Sequence, residues 1–359
     1  MHLSDALLSP GVAGIFWAAS AVALVQASRR LRIEAREQGR AQACEQRVPL
    51  MGVLGAFLFA AQMINFSIPG TGSSGHLAGG LLLAMLLGPH AGFLVVASVL
   101  VVQAVFFADG GLLALGCNIF NLGVVPAYLV YPWLRKVIQQ SRSLRARGIW
   151  TVVAAMLAMQ LGAVAVVLQT MASGISALPL ATFALFMLPI YLAIGLVEGL
   201  VTVGISAFIR QARPGALEQV SAQPSGVHSV ATVFATAALA LGSVGVWYAS
   251  TAPDGLEWSV ARTAGQSAAV AAPTPWHAWM ESAQDRTAVM PDYAFSPKPD
   301  TPARPGDMTA PTDGAATADS ARWGSSAAAV LGSLLTLALA GLVGWALRRL
   351  SRPAGPPPA

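Results

Sequence analysis

The chain has 359 residues, of which 55% are hydrophobic and only 10% charged, against roughly 25% charged in an ordinary globular chain. So few charges cannot coat a soluble surface, the apolar content excludes disorder for most of the length, and two cysteines (Cys44 and Cys117) exclude a disulfide framework. The net charge of +5 sits in short clusters between apolar runs, which is a membrane-topology pattern and not the basic face of a nucleic-acid binder.

In chain order, nine apolar runs can be marked, at roughly 11–27, 49–64, 77–88, 91–108, 112–133, 149–172, 179–209, 228–250 and 325–347. The expected fold class is therefore all-α, a polytopic transmembrane helical bundle. The third run is too short to cross a ~30 Å hydrocarbon core at about 1.5 Å per residue. It reads as a tilted short helix, or as half of a pair with the fourth run, turning at Gly88-Pro89.

Basic residues set the expected orientation. Arg29, Arg30, Arg32, Arg36, Arg40 and Arg47 follow the first run, and Arg135, Lys136, Arg142, Arg145 and Arg147 follow the fifth. Arg210 and Arg213 follow the seventh, and Arg348, Arg349 and Arg352 follow the ninth. These sixteen of the 21 Lys and Arg fall on one side if the runs alternate, and the positive-inside rule makes that side the cytoplasm. The N-terminus and the loop 65–76 are then outside, and the C-terminus inside. The first run has no Lys or Arg before it, and the basic cluster follows it instead, so it does not read as a cleaved signal peptide and Met1 is expected to stay.

Segment 251–324 differs in composition. It is rich in Pro, Ala, Thr and Asp, with nine acidic residues against five basic ones, and reads as a long extracytoplasmic loop, partly disordered around 297–320. The expected organisation is a membrane core over 1–214, a linker over 215–227, an appended two-span unit over 228–350 and a Pro-rich tail over 351–359.

Of the five histidines, the topology puts His2 and His76 on one face. Position 2 has its own chemistry. The Met1 amine, the His2 backbone nitrogen and the His2 imidazole can close two fused chelate rings around an ion that favours square-planar nitrogen ligation, chiefly Ni(II) or Cu(II). Three nitrogens leave one planar position open, and His76 is the natural candidate for it. The plain alternative is that each histidine is a solvated loop residue.

Five glycines lie within the thirteen residues Ile68 to Gly80 around His76. Such backbone either folds closely over another segment or forms a flexible surface turn.

Polar residues near or within the runs add candidates that orient a metal ligand or tie helices together. They are Gln62, Asn65, Ser74, Gln103, Asp109, Asn118, Asn121 and Glu198. Interhelical hydrogen bonding is the reading favoured for Gln103, Asn118 and Asn121. Glu198 reads as lying well inside the seventh run, where it orients a ligand or equally faces a partner subunit; that depth, away from His76 and Asp109, disfavours a membrane enzyme built on those three. No H-E-x-x-H, G-x-S-x-G or Walker A sequence is present. A subunit that only assembles, without metal, is the remaining alternative.

These residues carry a resemblance. The opening Met1-His2-Leu3-Ser4-Asp5-Ala6-Leu7-Leu8-Ser9, the loop Ser74-Gly75-His76-Leu77-Ala78-Gly79-Gly80 and the stretch from Phe107 to Asn121 resemble the nickel/cobalt substrate-capture components (CbiM/NikM type) of energy-coupling factor transporters. The resemblance covers about 1–210. Pro253-Asp254-Gly255-Leu256-Glu257 is similar to the PDGLE signature of the small accessory subunit, and Met290-Pro291-Asp292-Tyr293 to a second accessory element. The resemblance implies a fusion of the two. It implies Ni(II) or Co(II) as transported substrate, held by Met1, His2 and His76 with no resident cofactor. It further implies a transmembrane coupling subunit and two cytoplasmic ATPases as partners, rocking within that complex, and a place in the bacterial cytoplasmic membrane. Nickel is favoured because planar nitrogen ligation and the fused accessory unit suit it; cobalt for corrinoid synthesis is the neighbouring reading. His90 is not assigned as a ligand.

Overall fold

The structure, a computed structural model, describes residues 2–37, 41–175, 178–212, 227–264, 274–295 and 314–351. The linker expected over 215–227 lies almost wholly outside them. So do Met1, the tail from 352 onwards and most of the stretch expected to be disordered.

Eleven helices carry the described chain. In order they are α1 (Pro10–Glu37), α2 (Ala41–Gln62), α3 (Gly80–Leu87), α4 (Pro89–Phe106), α5 (Leu115–Gln140), α6 (Leu144–Ser173), α7 (Leu180–Ala212), α8 (Val227–Ser243), α9 (Gly255–Ala264), α10 (Pro275–Thr287) and α11 (Gly314–Ser351). Six of them (α1, α4, α5, α6, α7 and α11) contain segments long and apolar enough to cross a membrane. The apolar parts of α2 and α8 are shorter, at Val48–Gln62 and Val230–Ser243. A lipid-facing helix must satisfy its own backbone and show carbon outward, and Ile15, Val22, Leu185, Leu200 and Leu342 are all exposed on these helices.

Of the two readings of the third run, the structure shows the broken pair with the fourth. Gly88 takes φ 84° between α3 and α4, a left-handed value that suits glycine, and Pro89 starts α4 where its missing N–H costs nothing. Within α5, residues 120–130 are π-helical and enclose Pro126, which cannot donate to the regular ladder.

Among the described residues, one two-stranded sheet departs from all-α. Residues Phe66–Ile68 (β1) and Ser73–Gly75 (β2) pair antiparallel, with Phe66 opposite Gly75 and Ile68 opposite Ser73. Gly70 and Gly72, both at positive φ, make the turn between them. The His76 loop is thus a small hairpin with its second strand wholly buried, so the surface-turn alternative does not hold.

The appended unit is welded to the core. Helix α11 lies along α2, where Ser333 Oγ donates to the Ala56 carbonyl at 3.1 Å and Gly332 gives way to Phe59. Helix α8 meets α2 through the edge-to-face pair Phe57 and Phe234.

The two ends of the bundle differ. At one end Glu34, His90 and Leu350 meet: His90 Nε2 is 3.9 Å from Glu34 Oε1, and Arg36 donates to the Leu350 carbonyl. At the other end the N-terminal peptide, the hairpin, the α4–α5 loop and segments 249–264 and 274–295 come together.

Candidate metal centre

The N-terminal peptide is threaded into the core. Leu3, Leu7 and Leu8 are buried, each side chain contributing about 1.5–3 kcal/mol to holding the peptide in place. Asn118 on α5 clamps its backbone: Leu3 N–H donates to Asn118 Oδ1 at 2.8 Å and Asn118 Nδ2 donates to the Leu3 carbonyl at 3.2 Å. Asn118 therefore grips the peptide and is not the helix–helix tie expected from sequence. Gly111 N–H also donates to the Leu3 carbonyl, at 3.1 Å. Ala114 N–H donates to Asp5 Oδ1 at 2.8 Å. Burial raises the Asp5 carboxyl above its usual range in spite of that bond. A side chain at Gly111 would collide with the Asp5 carboxylate and backbone, so only glycine lets the peptide pass.

This threading brings His2 onto His76. Their rings stack with centroids 5.2 Å apart and planes 14° from parallel. His76 Nδ1 lies 3.1 Å from the Leu77 carbonyl. A carbonyl only accepts, so Nδ1 carries the proton and Nε2 the lone pair. Burial, the largest influence, pushes the His76 imidazole down to about 3, which keeps it neutral and able to ligate. His2 Nδ1 lies 3.1 Å from Asp109 Oδ1, and His2 Nε2 is buried without a hydrogen-bond partner. Burial opposes ionisation of Asp109, but His2 and a hydrogen bond from Tyr293 hold its carboxyl well below the usual range.

The other candidates fall into two groups. Gln62 and Gln103 brace the segment that follows His76: Gln103 Nε2 donates to Gln62 Oε1 at 2.9 Å, and Gln62 Nε2 donates to the Ala78 carbonyl at 3.0 Å. Asn121 pairs reciprocally with Gln169 at 2.8 and 3.0 Å, which ties α5 to α6 as the interhelical reading expected. Glu198 corrects its sequence reading. From α7 it accepts the Ala78 and Gly79 N–H groups at 3.2 and 3.1 Å, so it fastens the very loop that carries His76. It acts there as a backbone anchor at the start of α3. Among the described residues, no group of three or more His, Cys, Asp and Glu side chains has the spacing to hold an ion.

The appended unit closes over this end. Ser74 N–H donates to the Pro253 carbonyl at 2.8 Å and Ser74 Oγ to the Ala252 carbonyl at 2.7 Å, while the Asn65 carbonyl accepts Ser250 N–H at 2.8 Å. Asp254 then sits in one cavity with Gly75, His76, Ala78, Met159 and Tyr191. His277 Nε2 faces the carbonyls of Asp5 and Leu8 at 3.1 and 2.9 Å. Gln284 Nε2 donates to the carbonyls of Ala104 and Gly110 at 2.9 and 2.8 Å.

Comparison with known proteins decides the family. Residues 2–216 match the profile of the cobalt uptake substrate-specific transmembrane region, and residues 228–349 match that of the PDGLE domain. The chain belongs to the cobalt uptake substrate-specific transmembrane family. Family membership makes it a multi-pass membrane component of transition-metal transport, of the substrate-specific kind found in energy-coupling factor systems, and not an enzyme.

A putative metal transport protein of Haloquadratum walsbyi is 38% identical over 216 residues, 60% of this chain and 92% of that protein. A putative fused nickel transport protein of Archaeoglobus fulgidus is 35% identical over 229 residues, 62% of this chain and 70% of its own length. A cobalt transport protein of Sorangium cellulosum is 30% identical over 227 residues, 61% of this chain and 96% of its own. A crystal structure of a truncated transition metal transporter superposes with TM-score 0.48 at 27% identity, covering 59% of this chain and 99% of that one.

In this family member, four groups at the site escaped sequence reading: Asp254, His277, Gln284 and Tyr293, all on the PDGLE domain. The available signal was the pair of accessory motifs containing Asp254 and Tyr293. It marked the unit and left its destination open. His277 and Gln284 lie in no motif, and nothing local connects them to the N-terminal peptide or to the α4–α5 loop.

Proposed function

We propose that this chain captures Ni(II), with Co(II) as the related substrate, at the non-cytoplasmic face of a prokaryotic cytoplasmic membrane, and passes it inward within an energy-coupling factor importer. The proposed ligands are the Met1 amine, the His2 backbone nitrogen, the His2 imidazole and His76 Nε2. The observation that carries the reading is the stack of His2 on His76 at 5.2 Å, held by a peptide clamped as far as Leu8. Two imidazoles alone make a weak site, and main-chain and terminal nitrogens are the donors that complete a planar set around Ni(II). The orientation is supported by distance from the arginines: Arg36, Arg348 and Arg349 belong to the opposite end of the bundle from the two histidines. Nickel is supported by the fused layout shared with relatives named as fused nickel transport proteins. A coupling subunit and two ATPases complete the proposed importer, because the chain has no nucleotide-binding sequence of its own.

The test is Ni(II) binding to the purified full chain in detergent, by competition with a chromophoric chelator. His76→Ala is expected to lower affinity by at least tenfold and to shift the visible d–d absorption of the bound ion, with helix content unchanged. Wild-type affinity in that variant refutes the ligand assignment.

A further inference from the structure

The contact between the PDGLE domain and Asp109 goes beyond covering the site. It rests on three strained residues. Ala108, Asp292 and Tyr293 take φ of 54°, 50° and 59°, and they are the non-glycine residues at positive φ among those described. Such backbone persists only where its surroundings over-determine it, and it gathers at functional contacts. Here the determinants are visible. Val289 and Met290 N–H both donate to the Phe106 carbonyl, Asp292 N–H donates to the Phe107 carbonyl at 2.9 Å, and Asp109 N–H donates to the Gln103 carbonyl. The Tyr293 ring stacks on Phe107, with centroids 5.0 Å apart and planes 21° from parallel.

Two strained turns, one from each unit, are thus locked face to face. They aim the Tyr293 hydroxyl at Asp109 Oδ2 while Asp109 Oδ1 faces His2 Nδ1 at 3.1 Å. The identity of that nitrogen matters. The His2 backbone nitrogen and Nδ1 of the same residue close a six-membered ring with an ion, whereas Nε2 would need a seven-membered one held across the rigid imidazole. The nitrogen that Asp109 holds is therefore the one a chelated ion must take.

We propose that Tyr293 is a positioning residue for the capture site, acting through Asp109: it fixes the carboxylate that presents the His2 imidazole, and it remains the partner of that carboxylate when the ion takes Nδ1. This rests on the capture reading above. Without the hydroxyl, a carboxylate whose side chain is only 24% exposed loses its second partner at the moment it gives up the first. Hydrogen bonds to charged groups are the stronger ones, so removing the hydroxyl should weaken binding by about tenfold or more.

The experiment measures Ni(II) affinity for the full chain and for Tyr293→Phe, Asp109→Asn and the double variant. Phenylalanine keeps the ring on Phe107, so the fold is retained, and the melting temperature of the metal-free protein is the check. The expected result is a drop of about tenfold for Tyr293→Phe with the visible absorption of bound Ni(II) unmoved, because the donor set is the same. In the Asp109→Asn background the same substitution should have a clearly smaller effect, because an amide oxygen accepts the hydroxyl without the charge that strengthens the bond. Wild-type affinity in Tyr293→Phe, or an equal loss in both backgrounds, overturns the relay while leaving the capture reading standing. A wild-type chain that takes no Ni(II) overturns both.

Discussion

Asn118→Ala tests whether docking of the N-terminal peptide is what builds the site. Asn118 is 2% exposed and makes two hydrogen bonds to the backbone of Leu3, at 2.8 and 3.2 Å. Alanine removes both. The Leu3 carbonyl keeps Gly111 N–H, but the Leu3 N–H is left in a buried place with no partner from α5. An unsatisfied buried group costs about 1–3 kcal/mol, and the second bond adds a fraction of that, so docking should weaken by about 2 kcal/mol. At 1.4 kcal/mol per decade this is about thirtyfold in the docking equilibrium. Hydrogen–deuterium exchange over residues 2–8 reads that equilibrium directly, and faster exchange is expected there, with α6 and α7 unchanged. Ni(II) affinity should fall by up to the same factor, according to how much docking free energy the wild type holds in reserve. Unchanged exchange over residues 2–8 would refute the clamp.

Two further predictions follow from the same end of the bundle. Gly111→Ala should expel the peptide, since the new methyl meets Asp5, and should lower Ni(II) affinity at least as much as Asn118→Ala; Gly14→Ala, which meets nothing within 4 Å, should have no effect. In the metal-free protein His76 should make stability fall on acidification. Its folded value is lowered to about 3 from an ordinary 6.5, so between those values the unfolded chain binds the extra proton and stability rises with pH. Melting curves from pH 7 down to 4 should show this loss, and His76→Gln should reduce its slope; equal slopes would contradict the buried neutral imidazole.

Legibility in the sequence followed the range of each interaction. Spans were readable because a lipid-facing helix must be apolar along a contiguous stretch, and α4, α6 and α7 each overlap most of an expected run while starting or ending up to five residues outside it. The Gly88-Pro89 break was readable because both residues have strong local rules. The hairpin was not: strands of three residues, one of them Ser-Ser-Gly, are too short to show alternation. The π-helical part of α5 left no periodic trace either. At the site, His2 and His76 stood out through chemistry peculiar to position 2 and through flanking glycines. Their supports did not stand out, because they are contacts across the whole chain. Asn118 meets Leu3 at a separation of 115 residues, Tyr293 meets Asp109 at 184, and His277 meets Leu8 at 269. Glu198 was misjudged for a related reason. A carboxylate within an apolar run suggests depth, whereas this one is satisfied by two N–H groups at the start of α3.

The central claim is that the chain's own first nitrogens wrap the ion. Blocking the amine, by acetylation or by one glycine placed before Met1, tests it while leaving every described side chain in place. The account predicts that the blocked chain loses the planar Ni(II) absorption and binds at least a hundredfold more weakly, in keeping with the loss of a chelating donor whose deprotonation is coupled to metal binding. A blocked chain that binds Ni(II) with wild-type affinity and an unchanged spectrum would contradict it.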